Sequence, residues 1–281
     1  MKPALLTKTR NVFHARLLAG PLTIDSDGIA SIADRSSQKS RLIAAGVVTE
    51  LGHATTQIKA AGQTAGSKFE DIVRNFVEET FPLLPHLRPG RWMVSRGRTI
   101  AQFEQFSHLN DLENLIAAHP SIRAALGGDY LISPDIVVVR KLESDETINA
   151  PRPIVDGESA TGAVLRAANG GLPLLHASIS CKWTLRSDRA QNVRTEAQNL
   201  LRNRKGRVPH ILAVTAEPTA ERIKSLAQGH ADLDAVYHIA LPELLSVVKK
   251  LGYAEELDTL EWLVQGKRLK DISDLPLDLA V

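Results

Sequence analysis

From about residue 133 onward, short β-branched or apolar runs alternate with amphipathic stretches, and no other feature limits the possible fold so tightly. Ile136-Val137-Val138-Val139 has the length and composition of a buried strand, and residues 174–183 make a second. Residues 187–204 predict a helix, with Ser187 or Asp188 as its cap, Val193, Ala197, Leu200 and Leu201 on its apolar side, and Gly206 at its end. Residues 210–217 and 234–240 are further strands, each followed by a helical segment. This β…β-α-β-α-β order predicts an α/β fold in which a central mixed β-sheet is flanked by helices. The first third looks helical: apolar residues recur at helical spacing in 12–18, in 42–51 and in Phe69, Val73, Phe76, Val77 and Phe81, before Pro82 and Pro85. Residues 141–171 are polar and rich in turn formers and predict a long surface excursion. No repeat or linker divides the chain, so its 281 residues, 43% hydrophobic, are expected to form a single domain, 1–281.

Several function classes drop out at once. A single cysteine, Cys181, rules out a disulfide framework and a cysteine-built zinc site. Nine histidines are scattered without ligand spacing. No run approaches the ~18 apolar residues of a membrane span, and the first residues lack a signal-peptide core, so a soluble cytoplasmic protein without a membrane partner is expected. Residues 62–68 do not have the order of a phosphate-binding loop, and no GxSxG elbow is present. The net charge is only +2, yet seven basic residues and two acidic ones fall between Arg186 and Arg207. Such a run is a solvated helix face or a contact for nucleic acid.

The chemistry-bearing residues fall in three pieces. Pro134-Asp135 leads into the first strand. In Ser178-Ile179-Ser180-Cys181-Lys182-Trp183, side-chain alternation puts Ser178, Ser180 and Lys182 on one face. Glu196 lies on the helix that follows. Phosphodiester hydrolysis needs carboxylates to hold Mg²⁺ and a cation near the attacking water or the scissile phosphate. Asp135, Glu196 and Lys182 supply those groups in a PD…SxK…E variant of the PD-(D/E)xK nuclease pattern. Asp135 and Glu196 are the candidate metal ligands, for about two Mg²⁺ ions per site. Ser180 stands where the usual pattern has a carboxylate, and Glu196, fourteen residues beyond Lys182, can fill that space if its helix folds back over the strand end. Glu70, beside the apolar positions Phe69 and Val73, is either an exposed helix glutamate or a further site acid. Cys181 faces away from Lys182 and reads as a small buried residue.

Arg186-Ser187-Asp188-Arg189 opens the helix directly after the SxK strand. Arginine forks suit guanine O6 and N7, and an aspartate accepts from cytosine N4, so this unit matches adjacent C·G and G·C pairs read in a major groove. The alternative is a salt-bridged helix cap. A PD-(D/E)xK nuclease of repair with little sequence preference, or a non-catalytic DNA-binding protein on a nuclease scaffold, would share parts of the pattern. Discrete fragments in a plasmid digest separate the first from a site-specific enzyme, and Mg²⁺-dependent cleavage separates the second.

The run HASISCKWTLRSDRAQN at 176–192 closely resembles the NgoMIV-like type II restriction endonucleases of the CCGG group. So do GQTAGSKFE at 62–70, SPDIVVVR at 133–140, RNRKGRVPHILAVTAEPT at 202–219 and GKRLKDISDLPLDLAV at the end. The likeness covers nearly the whole chain and is weakest at 149–168 and 91–100. It implies a restriction-endonuclease-like fold, a homotetramer made of two dimers, and cleavage of double-stranded DNA at GCCGGC after the first G. It also implies Asp135, Ser180, Lys182 and Glu196 as the catalytic set, Glu70 as an additional acid, and Arg186, Ser187, Asp188 and Arg189 as the segment reading CCGG. By the same resemblance Gln63 is a minor-groove contact and Asp34 reads the outer base pair.

Overall fold

Ile136–Arg140 (β2) carries β-branched residues on both faces, and all four of Ile136, Val137, Val138 and Val139 are fully buried. A run that is apolar on both faces belongs in the middle of a covered sheet. The computed structural model describes residues 3–52, 62–118, 131–228 and 232–281, without the side chains of Gly62, Gln63 and Ser187. It places β2 second in a six-stranded sheet whose spatial order follows the chain: Trp92–Arg96 (β1), β2, Leu174–Lys182 (β3), His210–Thr215 (β4), Ala235–His238 (β5) and Leu269–Asp271 (β6). β1 to β3 pair antiparallel, and β3 to β6 pair parallel. The expected α/β class with a mixed sheet flanked by helices is therefore observed.

Ten helices are described. Leu5–Leu18 (α1), Gln38–Leu51 (α2), Gly62–Glu78 (α3) and His108–Ala118 (α4) precede β2 or flank β1, and Asp145–Asn149 (α5) follows β2. Ser187–Asn203 (α6) crosses from β3 to β4, and Ala220–Ala227 (α7) from β4 to β5. Leu241–Lys250 (α8), Ala254–Gln265 (α9) and Leu275–Asp278 (α10) complete the chain. α3 packs on β1 and β3, where Phe69 meets Trp183 edge to face at 5.0 Å between ring centroids. α2 packs on α8 so closely that a Cβ on Gly46 would overlap Val247. One continuous apolar cluster of buried residues runs from Phe13 to Leu279.

One local expectation changes, and two features go beyond the sequence reading. The N-cap of α6 is Arg186, in extended conformation with no side-chain cap hydrogen bond, rather than Ser187 or Asp188. Its backbone leaves β3 through a turn held from elsewhere, so local cap chemistry is not what starts the helix. Two strands, β1 and β6, carry no clear sequence signal: β1 has only three apolar residues before Ser95 and Arg96, and β6 is only three residues long. The 141–171 excursion is largely exposed but not structureless. Arg166, only 6% exposed, gathers it by bonding the Asp145 carboxylate at 2.6 and 2.7 Å and the carbonyls of Asp156 and Ser159.

Candidate active site and DNA-reading edge

Strand register brings the chemistry together. Ile136 pairs with Ile179 across the antiparallel β2–β3 ladder, so Asp135, one residue earlier, falls beside Ser180. Its carboxylate accepts the backbone N–H of Cys181 at 2.7 Å and the Lys182 ammonium at 2.9 Å, both on Oδ2. α6 folds back over the strand end and lays Glu196 Oε2 3.4 Å from Ser180 Oγ, which is 3.5 Å from Asp135 Oδ2. Two carboxylates thus meet one small hydroxyl at the carboxyl end of β3, with the Lys182 ammonium on the first of them.

The electrostatics are those of a site crowded with carboxylates. Burial raises the pKa of Glu196; Lys182 opposes this, but the nearby Asp135 charge adds to it, and the acid stays above its ordinary range. Burial would lower the Lys182 pKa, but the charge and hydrogen bond of Asp135 outweigh it and keep the ammonium protonated. Glu70 reaches the same site from α3, with Phe69 anchored against Trp183. Burial and the Asp135 charge together raise its pKa, against the pull of Arg96 and Lys182. Cys181 is buried, and burial pushes its thiol well above the usual range, so it is no nucleophile.

Among the described residues no cluster of three or more histidine, cysteine, aspartate or glutamate side chains forms a complete metal cage. The donors present are two carboxylates beside a hydroxyl. That set fits Mg²⁺, which keeps several waters and takes its other oxygens from substrate phosphates. It does not fit a structural zinc site.

Arg96 is a site residue that sequence reasoning missed. It ends β1, pairs with Ile136 across the ladder, and forms ion pairs with Glu70 and, at 2.6 Å, with Asp71. Its position one step from Asp135 depends on the β1–β2 register, and a lone arginine in a stretch of weak pattern gives no sign of it.

The cleft that opens from Lys182 also exposes Arg186 and Arg189, with Ser31, Ala33 and Ser67 across from them. Arg186 and Asp188 are exposed, while Arg189 donates to Thr184 Oγ1 at 2.9 Å and to the Thr184 carbonyl at 3.2 Å. The turn carrying them rests on Glu217, a fully buried carboxylate that accepts the Leu185 N–H at 2.8 Å. Asp34 lies in the same neighbourhood: it shares a recess with Arg186 and pairs with Arg222, which is also 3.8 Å from Glu217. Bonds from the Ser36 hydroxyl and from Arg222 lower the Asp34 pKa to about 2, so it is an acceptor at any working pH. The structure therefore brings Asp135, Ser180, Lys182, Glu196 and Glu70 into one site, and Asp34 beside Arg186 at the edge of the same cleft. The side chains of Gln63 and Ser187 lie outside the described residues.

No helix among the described residues is long and apolar enough to cross a membrane. The family model for the NgoMIV restriction enzyme matches residues 13–281. The type II restriction enzyme NgoMIV of Neisseria gonorrhoeae is 51% identical over 99% of this chain and 99% of its own. A solved structure described as the type IIF restriction endonuclease Bse634I with cognate DNA has a TM-score of 0.41 and 15% identity, covering 77% of this chain and 86% of that one. That likeness is too distant to bear on the site. A family match that runs to the last residue, and a relative half identical from end to end, make the chain a member of the NgoMIV restriction enzyme family.

Proposed function

We propose that this restriction enzyme cuts double-stranded DNA in a Mg²⁺-dependent reaction at a CCGG-containing palindrome, GCCGGC, after the first G. The single observation that carries the chemistry is the meeting of Asp135 and Glu196 at the Ser180 hydroxyl, with Lys182 on Asp135, at a cleft lined by Arg186 and Arg189. Asp135 and Glu196 would hold the metal, about two ions per site, and Ser180 would contribute little direct binding. When bound, Mg²⁺ supplies positive charge to the attacking and leaving oxygens.

The protein's own groups do the rest. Lys182, kept protonated by Asp135, orients and polarises the water that attacks the phosphorus in line, leaving a 5′-phosphate. Ser180, in place of a carboxylate, keeps the strand face narrow enough for Glu196 to approach from α6. Arg186, Asp188 and Arg189, with Ser187 between them, would read the CCGG core, Gln63 the minor groove and Asp34 the outer pair. Asp34 competes for this role with Arg222, so reading the outer pair would require Asp34 to leave or share that partner. The whole chain acts as one catalytic domain on this reading, supported by the continuous apolar cluster. Four copies assemble as two dimers in the bacterial cytoplasm.

Digestion of a sequenced plasmid, with and without Mg²⁺, followed by mapping of the ends tests the reading. Discrete fragments with every end inside GCCGGC are expected. A smear would point to a non-specific nuclease, and binding without cleavage to a scaffold that has lost its chemistry. Sizing chromatography tests the tetramer.

A further inference from the structure

The sheet has a second end, about 26 Å from the first at ~3.3 Å per residue along nine-residue β3. There, at the amino ends of the parallel strands, lies a recess of about 160 Å³. Trp92 pairs with Arg140 and Ala177 with His210, so the ladder places this recess opposite the active site. Four basic side chains line it: Arg88, Arg140, Lys205 and Arg207. Glu104 is the one carboxylate in its wall, and it already accepts the Leu172 N–H at 2.7 Å. Among the described residues none of the four basic groups forms an ion pair. Arg88 Nε and Arg140 Nε are buried without a hydrogen-bond partner, and so is Nε2 of the neighbouring His210.

Guanidinium Nε atoms shut off from solvent without a partner are costly, and like charges held together add to the cost. Burial, then the charges of Arg207 and Arg140, lower the Arg88 pKa, which means these cations share one field. Burial, then the charges of His210, Arg88 and Arg207, depress His176, which also lines the recess. Nothing in the proposed cleavage reaction uses this cluster.

We propose that the recess is a binding site for a small phosphorylated ligand. Planar guanidinium forks meet phosphoryl oxygens in pairs, which a single carboxylate does not repay across three arginines. The remaining wall, Val164, Leu175 and Val208, is apolar and suits the uncharged part of such a molecule. At about 160 Å³ the recess is small, which suits a compact anion and not a duplex.

Pyrophosphate is the probe. Its binding to the intact protein, without divalent metal, is measured by calorimetry and thermal shift against chloride at matched ionic strength. Saturable binding is expected for the wild type and for Lys182→Ala, weakened about tenfold or more by Arg207→Gln and by Arg88→Gln, as expected for loss of a charge-assisted hydrogen bond. Arg207 is exposed on the loop before β4, so its variant keeps the test valid should Arg88→Gln fail to fold. Both variants are expected to cut plasmid DNA as the wild type does. The proposal is overturned by non-saturable stabilisation, by equal binding in Arg207→Gln, or by loss in Lys182→Ala alone, which would move the ligand to the active site. It is also overturned if Arg207→Gln weakens duplex binding to the same degree, which would make this a DNA-backbone contact. A shift to smaller assemblies with no pyrophosphate effect would show a second copy filling the recess, and would equally end the proposal.

Discussion

In the proposed reaction the chemistry turns on Lys182, whose charge is both held by Asp135 and available at the cleft. Lys182→Ala is expected to bind a GCCGGC duplex in a gel shift yet to leave it uncut; cutting at the wild-type rate would remove its assigned role. Arg96 acts one step back, as a positioning residue. Its guanidinium offsets the burial and the Asp135 field that push the Glu70 proton on. Arg96→Gln is expected to lower the cleavage rate about 10- to 100-fold, in the range typical of partners that orient metal-site ligands, with duplex affinity unchanged. A parallel drop in duplex affinity would instead make Arg96 a phosphate contact. At the reading edge, Arg189→Ala should cost roughly 1–3 kcal/mol of discrimination between CCGG and unrelated DNA, read as a ratio of dissociation constants.

Among the secondary-structure elements, the joint between β3 and α6 matters most. Arg186 caps α6 without a side-chain bond, so the turn 183–187 depends on Glu217 beyond β4. Glu217 also accepts the Thr219 hydroxyl at 2.6 Å, and burial raises its pKa above the ordinary glutamate range. Glu217→Ala strands the buried Leu185 N–H and should cost about 1–3 kcal/mol of stability. Since the turn carries Arg186 and sets the start of α6, where Asp188 and Arg189 lie, the same variant should lose discrimination for CCGG before it loses Mg²⁺-dependent cutting of any DNA. A variant equally stable and equally selective would show that the turn stands without that carboxylate.

Over the whole molecule, α1 is tied to the last elements by Arg10. It grips Glu243 of α8 at 2.6 and 2.8 Å and Asp271 of β6 at 2.9 Å twice, with all three side chains less than one-fifth exposed. Arg10→Met leaves two nearly buried carboxylates unpaired, and urea unfolding should show a loss of about 3–5 kcal/mol. Two buried histidines add a pH dependence. His238, fully buried, takes the Ala240 N–H on Nδ1, and burial lowers its pKa to about 4; His176 is likewise lowered to about 4. Between pH 4 and 6.5 the unfolded chain therefore binds more protons than the folded one. The stability these neutral rings contribute is present above pH 6.5 and lost as pH falls toward 4, on the order of 3 kcal/mol for each. Unfolding midpoints that stay flat from pH 7 to 4.5 would contradict this.

Local order was legible in the residues themselves. β-branched runs, period-2 alternation through Ser178, Ser180 and Lys182, and the apolar stripe of α6 are short-range properties, so the strand–helix succession and the chemical types at Asp135, Lys182 and Glu196 could be read directly. Distances between them could not. Asp135 meets Ser180 only because Ile136 pairs with Ile179, and Glu196 arrives only because α6 folds back across the strand end. Arg96, Glu217 and the meeting of Arg88 and Arg140 with Arg207 could not be read locally, since their meaning lies in partners tens of residues away. Sequence by itself determined which groups were present and which element each rode on, because backbone preference and side-chain periodicity are local. Tertiary structure alone decided which charges met, because strand register and helix packing are set by burying one shared apolar core.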